Sequence, residues 1–527
     1  MTQDRSERTA PRLSEAAASG TASKIRSLDD LGACAEAARK QGRKVVLAHG
    51  VFDLLHMGHV RHLEEARSHG DVLIVTLTAD AYVNKGPGKP VFPAALRAEM
   101  LAALSCVDFV GINDAPDAEP VLHAVKPSVY AKGSDYANPD DDVTGKILAE
   151  REAVETYGGR LAFTGGITFS SSELLNRHFQ VFEPQVHDFL SRLRDSGGLA
   201  ATLDLIERVK DMRVLLVGDT IVDEYRYVVP LGKSPKENMI ATRFEESETF
   251  AGGVVATANH VAGLCKQVDV MTCLGGVDSH EGLIRQSLRP NVRLLPIRRR
   301  GAPTTRKVRF IDHYYFRKLF EVYHFDDRPL SPALQRRFDT MIAEKAADYD
   351  LVLVNDFGHG LIARSTIETL CAEAKFLAVN AQTNSANAGF NLITRYPRAD
   401  LVCIDMIEAQ LAVGDKFIDP ATVVGRTLPG RIDCDRVIMT LGKSGSAVWE
   451  RGALPVSIPA FAKAVVDLVG AGDAFLAVSA PLAAAGGSMR QVGFVGNVAG
   501  AIKVGIVGHR SSIDKATLIK SITGLLK

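Results

Sequence analysis

Tryptophan is almost missing from this chain: one in 527 residues, with aromatics at 6% overall. Its core must therefore rest on aliphatic packing, and the 46% hydrophobic content is enough for that. Net charge is missing as well. Lys and Arg number 62, Asp and Glu 62, for a formal charge of zero. That balance excludes a strongly basic nucleic-acid binder and a polyacidic chain, though not a local basic patch. Cysteine is sparse and scattered, at 34, 106, 265, 273, 371, 403 and 434, with no C-x-x-C pair. An odd, dispersed set predicts no disulfide framework and no structural zinc site, hence reduced thiols in a cytoplasmic protein. No apolar run of about 18 residues occurs, so no membrane span is expected. Residues 1–24 lack the apolar core of a signal peptide and are rich in Ser, Thr, Ala and charge, which predicts a disordered tail.

What is present is α/β alternation, in two stretches. In the first, helical spacing over 27–41 precedes an apolar strand at 44–48 and a helix over 58–68. A strand at 72–77, a helix at 96–104 and strands near 107–111, 128–131 and 161–164 follow. Strands alternating with helices predict a parallel sheet with crossover helices, placing a first domain at 25–180. Residues 181–211 read as a helical linker broken at Ser196-Gly197-Gly198. A second, longer α/β domain spans 212–527, with strands starting at Met212 and near 268–273, 351–355, 376–380, 401–404 and 437–441. Segments 239–244 and 306–311 alternate in polarity and predict a smaller sheet, a lid.

The first chemical constellation follows the first long strand. Residues 44–59 read KVVLAHGVFDLLHMGH. The strand delivers His49-Gly50, then Phe52 and Asp53, then His56-Met57-Gly58-His59 opening a helix. Two histidines three apart at a helix start share a face. The helix N-terminus adds partial positive charge and unsatisfied N–H groups, and Gly58 lets a phosphate approach the backbone. Such a site suits stabilising charge on a nucleotide α-phosphate while pyrophosphate leaves. An isolated H-x-G-H is as readily two surface histidines; its place between a buried strand and a helix favours chemistry.

The string G-V-F-D-L-L-H-M-G-H resembles the signature of the nucleotidyltransferase superfamily that includes cytidylyltransferases and sugar-phosphate adenylyltransferases. The resemblance runs over about residues 42–176 and takes in Thr78-Ala79-Asp80, Lys85-Gly86, Lys89-Pro90, Arg97, Lys132-Gly133-Ser134-Asp135-Tyr136 and Phe169-Ser170-Ser171-Ser172. It implies a Rossmann-like domain with His56 and His59 catalytic. Around the nucleotide it implies Gly50, Phe52, Asp53, Gly58, Lys85, Arg97, Lys132, Ser170, Ser171 and Ser172.

The second constellation is DLVGAGDAF at 467–475, ahead of a small-residue helix. Gly470 and Gly472 permit a turn whose N–H groups converge, an anion hole at a helix N-terminus. Asp473 is placed to take a proton from a sugar hydroxyl while those groups hold the transferring phosphoryl. The plainer reading is a Gly-rich turn with a capping Asp. The string closely resembles the signature of ribokinase-like (PfkB-family) carbohydrate kinases, over about residues 212–515. Supporting pieces stand in family order: Gly218-Asp219 with Asp223, Ala251-Gly252-Gly253, the loop at 355–360, Thr440 to Gly445, and Asn497. The resemblance implies Asp473 as base. It places Thr440, Gly442, Gly445, Gly470, Ala471, Gly472 and Asn497 around the nucleotide, and Asp219, Asp223, Gly252 and Gly253 around the sugar.

Three departures stand out. Ala256 replaces an Asn usual in heptose kinases. The family's N-x-x-E, tied to magnesium, reads Asp405-Met406-Ile407-Glu408, which makes Asp405 and Glu408 the candidate metal ligands. A D-P-K-G-like turn becomes Asn380-Ala381-Gln382-Thr383, without the lysine. Arg298-Arg299-Arg300 and Arg306-Lys307-Val308-Arg309 form a basic cluster, read as a solvated strand face, with a clamp for a phosphorylated substrate as the alternative.

Together the halves resemble the bifunctional heptose 7-phosphate kinase/heptose 1-phosphate adenylyltransferases, with the domain order reversed. That implies a sugar kinase feeding a sugar-1-phosphate nucleotidyltransferase, using ATP (with CTP the alternative at the N-terminal site) and Mg2+. The implied partners are a nucleoside triphosphate and a sugar phosphate, with no nucleic acid or membrane, in a homodimer. One alternative is a cytidylyltransferase acting on a polyol or sugar phosphate. In the other, the kinase-like half is a non-catalytic sugar-binding or dimerisation module; intact Gly470 to Asp473 speaks against it, Ala256 and Gln382 for it.

Overall fold

The computed structural model describes residues 20–83, 89–133, 146–165 and 182–527, so the expected tail lies almost wholly outside it. The chain divides into two compact units, residues 1–181 and 182–526.

The first unit is a six-stranded, all-parallel sheet of β1 (Ile25–Arg26), β2 (Val45–Gly50), β3 (Val72–Thr78), β4 (Phe109–Asn113), β5 (Val129–Gly133) and β6 (Arg160–Thr164). Strands covered on both faces read as unbroken apolar runs, and every residue of β3 is buried. The order is β1-β4-β3-β2-β5-β6. The chain builds outward from β2 in one direction, then returns to add β5 on its other side. A crevice results at the carboxyl ends of β2 and β5, where such folds bind ligands. Strand β4 starts two residues later than expected, because the Asp108 carboxylate accepts the Leu73 N–H (2.7 Å) and Lys24 Nζ donates to the Val107 carbonyl (2.7 Å).

The second unit has a nine-stranded sheet: β7 (Arg213–Gly218), β10 (Gln267–Val277), β11 (Val292–Pro303), β14 (Leu351–Asp356), β15 (Leu377–Ala381), β16 (Arg398–Asp405), β17 (Asp433–Thr440), β18 (Ser446–Glu450) and β19 (Val456–Ile458). Its order is β11-β10-β7-β14-β15-β16-β17-β18-β19, parallel through β17 and antiparallel after it. Apolar cores lie on both faces. A separate sheet, in the order β13-β12-β8-β9, uses β8 (Thr220–Lys233), β9 (Ile240–Gly253), β12 (Thr305–Asp312) and β13 (Lys318–His324). The expected lid segments at 239–244 and 306–311 fall in β9 and β12.

The expected linker is a correction. Helices Pro184–Asp195 and Gly198–Arg208 belong to the second unit: Val186, Leu190, Leu193, Leu205 and Ile206 join its main core. The Gly197-Gly198 break is a packed turn. Gly197 has φ +73°, and a Cβ on Gly198 would stand 2.4 Å from the Leu193 carbonyl oxygen.

Candidate active sites

In the first unit the candidates gather at the carboxyl ends of the strands. Phe52 turns the chain just past β2 with φ +49°, and its ring meets His59 edge-on, centroids 5.3 Å apart. His56 caps helix Met57–Ser68, its Nδ1 accepting the Gly58 N–H at 3.1 Å. A nitrogen that accepts carries no proton, so the neutral ring bears it on Nε2, a donor. The His56 and His59 rings stack with centroids 3.9 Å apart. His56, Gly58, His59 and Phe52 thus converge on one helix start.

Asp53 and Arg97 are both engaged within the fold. Asp53 is buried, and its Oδ1 accepts from the Val91 and Phe92 N–H groups (2.7 and 3.0 Å). Arg97 is fully buried and donates to the carbonyls of Phe92, Val51 and Thr78 and to the Asp80 carboxylate (2.9, 2.5, 2.9 and 2.5 Å). Four of its five N–H groups are committed, so it ties the ends of β2 and β3 to the segment before helix Ala94–Ala102. Lys132, near the end of β5, lies beside its counter-ion Glu150 (2.7 Å). Two histidines not singled out beforehand bond along the same strand ends: His49 Nδ1 with Thr76 Oγ1 (2.9 Å), and His62 Nδ1 with Thr164 Oγ1 (2.6 Å). Lys85, Ser170, Ser171 and Ser172 lie outside the described residues.

In the second unit, helix Ala471–Ala484 starts at Gly470, whose φ is +76°. A Cβ there would lie 2.7 Å from His509, whereas Gly472 has open space around it. Asp473 is nearly buried, and its Oδ1 accepts from Gln382 Nε2 (3.1 Å) and Asn355 Nδ2 (3.4 Å). Burial pushes its carboxyl up to about 6. Asp219, at the end of β7, accepts from the Phe357 N–H (3.0 Å); burial and the neighbouring Asp356 push it up to about 7. Asp223 is gripped by Arg309 and His509 (3.3 Å to the latter). Burial opposes its charge, but the Arg309 guanidinium and the hydrogen bond to His509 hold its carboxyl well below the usual range. The di-glycine is explained here: a Cβ on Gly252 would stand 2.0 Å from Asp223 Oδ2, and one on Gly253 2.5 Å from the Asp219 carbonyl.

At the end of β17, Thr440 leads into a turn in which Gly442 and Gly445 have φ +57° and +92°. The Leu441 N–H donates to the Gly445 carbonyl (2.8 Å). Asn497 spends its amide inside the fold, on Ser446 Oγ (2.8 Å). Asp405 and Glu408 form a reciprocal helix cap: Asp405 Oδ1 accepts the Glu408 N–H (2.7 Å), and Glu408 Oε2 the Asp405 N–H (2.8 Å). Burial and Asp405 push Glu408 up to about 8, so a nearby cation would favour its ionised form. Among the described residues no group of three acidic, His or Cys side chains is arranged to hold a metal. Asp405 and Glu408 are the residues that would hold Mg2+ here, with phosphate oxygens and water completing its shell.

The basic cluster is largely neutralised. Arg298 pairs with Glu281 (2.6 Å), Arg299 with Asp326 (2.9 Å), Arg306 with Glu224 (3.0 Å), and Arg309 with Asp223. Buried Lys307 lies 4.9 Å above the Tyr323 ring. Sequence reasoning missed His509 and Lys503 entirely: His509 pairs with Asp223, far along the chain, and Lys503 reaches back to the Val469 carbonyl as well as to its near neighbours Ile506 and Gly508.

Comparison with known proteins finds one family match within each unit. Residues 47–173 match the family described as cytidylyltransferase-like. Residues 327–516 match the pfkB family of carbohydrate kinases. The chain is 44% identical over 140 residues to the "Bifunctional protein HldE" of Geobacter metallireducens and to that of Geotalea uraniireducens, covering 26% of this chain and 27% of each relative. The match thus spans little more than a quarter of the length of these curated relatives. Among solved structures, phosphofructokinase-2 from Escherichia coli in complex with fructose-6-phosphate is 13% identical, covers 60% of this chain and 100% of its own, and has a TM-score of 0.49. The chain thus carries a parallel-sheet domain with a cytidylyltransferase-like match ahead of an α/β domain with a small second sheet and a pfkB-family match.

Proposed function

We propose that a chain joining these two domains makes a nucleotide-sugar in two steps. In the kinase domain, the Asp473 carboxylate accepts the proton of a sugar hydroxyl. The freed oxygen bonds to the γ-phosphorus of ATP, the bond to ADP breaks, and the turn at Gly470 to Gly472 holds the transferring phosphoryl. In the transferase domain, an oxygen of the resulting sugar 1-phosphate bonds to the α-phosphorus of ATP or CTP and pyrophosphate leaves. No proton need move, because the nucleophile is already anionic; the His56 Nε2–H and the helix start steady the developing charge. Mg2+, where bound with the triphosphate, neutralises phosphate charge.

The observation that carries this reading is the stacked His56–His59 pair at a helix start beside β2. That the relatives are named bifunctional proteins supports the coupling of two activities. Exposed Leu231, Ile240, Phe244 and Phe320 on the lid sheet support a second copy of this chain as partner there. The testing experiment is a panel of nucleoside triphosphates against sugar 1-phosphates, scored by pyrophosphate release, with ADP formation scored across sugars and sugar phosphates. A protein that releases no pyrophosphate with any pair sinks the reading.

One observation favours a second reading of the kinase half. Gln382, where a lysine is usual, donates to the base itself. If that bond quenches Asp473, the domain binds sugar without transferring phosphate, and ADP formation stays at background while sugar binding persists.

A further inference from the structure

A cavity of about 450 Å3 opens on the flank of the second unit. Its walls are the end of β9, helix Val254–Val261, helix Glu281–Ser287 and the segment at 509–512. None of the residues placed around the sugar, the nucleotide or the metal lines it. His509, which pairs with Asp223 and packs on Gly470, forms the wall on the side of the kinase site. Ala256 also lines the cavity, and its small side chain leaves room there.

The charge of the lining is one-sided. Among the described residues that line the cavity there is no Asp or Glu, against two arginines and two histidines. Arg510 spends its charge on the Glu248 carboxylate (2.6 and 2.9 Å). Arg289 is held differently. Its backbone N–H donates to Asn259 Oδ1 (3.0 Å), and its Nε–H donates to Ser512 Oγ (2.9 Å). Its two terminal nitrogens have no partner among the described residues, so a guanidinium fixed at two points presents a free fork. Such a fork matches two oxygens of one anion.

A second donor lies in the same wall. His260 is 1% exposed, and its Nδ1 accepts the Ile513 N–H (3.0 Å). The proton of the neutral ring is therefore on Nε2. Burial first, then the charges of His509, Lys503 and Arg289, push this ring down to about 3, so it stays neutral at ordinary pH. Its Nε2–H has no partner among the described residues. A buried donor left unpaired is costly, and a free guanidinium beside it calls for a negative acceptor. A phosphate group has three terminal oxygens and can satisfy both donors at once. The cavity is of the size that holds a small organic ligand, and Phe250 and Leu283 add an apolar wall for a carbon skeleton.

We propose that this cavity is a binding site for a small phosphate monoester, separate from the sugar and nucleotide places, with the Arg289 fork and the His260 Nε2–H as the donors to its phosphate.

The test is calorimetric binding to the full chain. The probes are glucose 6-phosphate, ribose 5-phosphate and glycerol 3-phosphate, with inorganic phosphate and glucose for comparison. A saturating non-hydrolysable ATP analogue with Mg2+ keeps the nucleotide places of both units filled. At least one monoester should bind wild type. Arg289→Gln should weaken that binding at least about tenfold, the usual effect of losing a charged, two-pronged hydrogen bond, with an unchanged melting temperature. Ser511→Glu sets a carboxylate at an exposed position of the lining and should weaken it as well, by like-charge repulsion. If Arg289→Gln does not fold, Ser511→Glu decides alone. Inorganic phosphate should bind more weakly than the best ester, and glucose should not compete. Binding that the folded variants keep would place the ester elsewhere, in the sugar place for example, and overturns the proposal. So does a wild type that binds no monoester at millimolar concentrations. Inorganic phosphate bound as tightly as every ester would make free phosphate the ligand and overturn the assignment to a monoester. These readouts need neither ADP nor pyrophosphate to form, so a failure of the two-step chemistry and a failure of this site are told apart.

Discussion

At Asp473 a carboxyl has to be ionised in a place that disfavours ionisation. Burial pushes it up to about 6; Asp223 adds to that, and His509, Lys503 and Lys307 oppose it. A base works only when deprotonated, so ADP formation should climb from about pH 5, pass its midpoint near 6 and level off above about 7. Asp473→Asn should lose that limb and at least about 10²-fold in rate. The check is a pair of pH–rate profiles at saturating ATP; a flat wild-type profile would mean another base. The sign for stability is the reverse. Between the ordinary carboxylate range and about 6, the folded unit holds a proton that the unfolded chain has released, so this group's contribution falls as pH rises through that window. At the other site, His56→Asn retains a capping side chain but loses the ring. Pyrophosphate release should drop about 10²–10³-fold, the usual cost of one transition-state donor, with the melting temperature held within a few degrees. Unchanged turnover in both His56→Asn and His59→Ala would remove the histidines from the mechanism. Both groups were legible because their roles depend on a helix start written in adjacent residues. The partners of Asp53 and Arg97 within the fold were not legible, because they lie 38 to 46 positions away in the cases of Val91 and Val51.

Among the elements, the helix pair at 184–208 carries the sharpest consequence. Leu190, Leu193, Leu205 and Ile206 are buried in the second unit's core. At about 1.5–3 kcal/mol for each large aliphatic side chain, losing these four costs roughly 6–12 kcal/mol. That is comparable to the entire stability of a typical domain, about 5–15 kcal/mol. A fragment of residues 182–527 should therefore fold cooperatively, and one of residues 212–527 should not. Circular dichroism melts of both would show it, and a cooperative melt from the shorter fragment would prove the helices dispensable. Their amphipathic spacing was visible beforehand, but not which core their apolar face would join. The lid was half legible for a related reason. β12 was expected near its place, but no strand was expected at β8, where Asp223, Glu224 and Arg226 break up the apolar pattern and pairing with β12 sets Asp223 against Lys307 and Tyr225 against Arg309.

For the whole molecule the issue is independence. The described residues of each site come from one unit alone, so damage to one should leave the other intact. In the full chain, Asp473→Asn should keep pyrophosphate release from a supplied sugar 1-phosphate, and His56→Asn should keep ADP formation. A loss of the untouched activity in either variant would mean that the units are coupled. By itself, the sequence determined the two α/β patterns, the helix-start strings at His56 and Gly470, and the glycines that those strings demand. All of these are interactions within a few residues, so local order specifies them. Only the tertiary structure decided that Gly252 clears room for Asp223, that Arg309 and His509 hold that carboxylate's charge, that Arg97 builds a wall, and that Lys503 is solvated by carbonyls from two segments. Each of these depends on groups brought together by strand order and burial. Buried electrostatics is settled by which dipoles and charges surround a group in space, and the surroundings of these groups come from segments far apart in the chain.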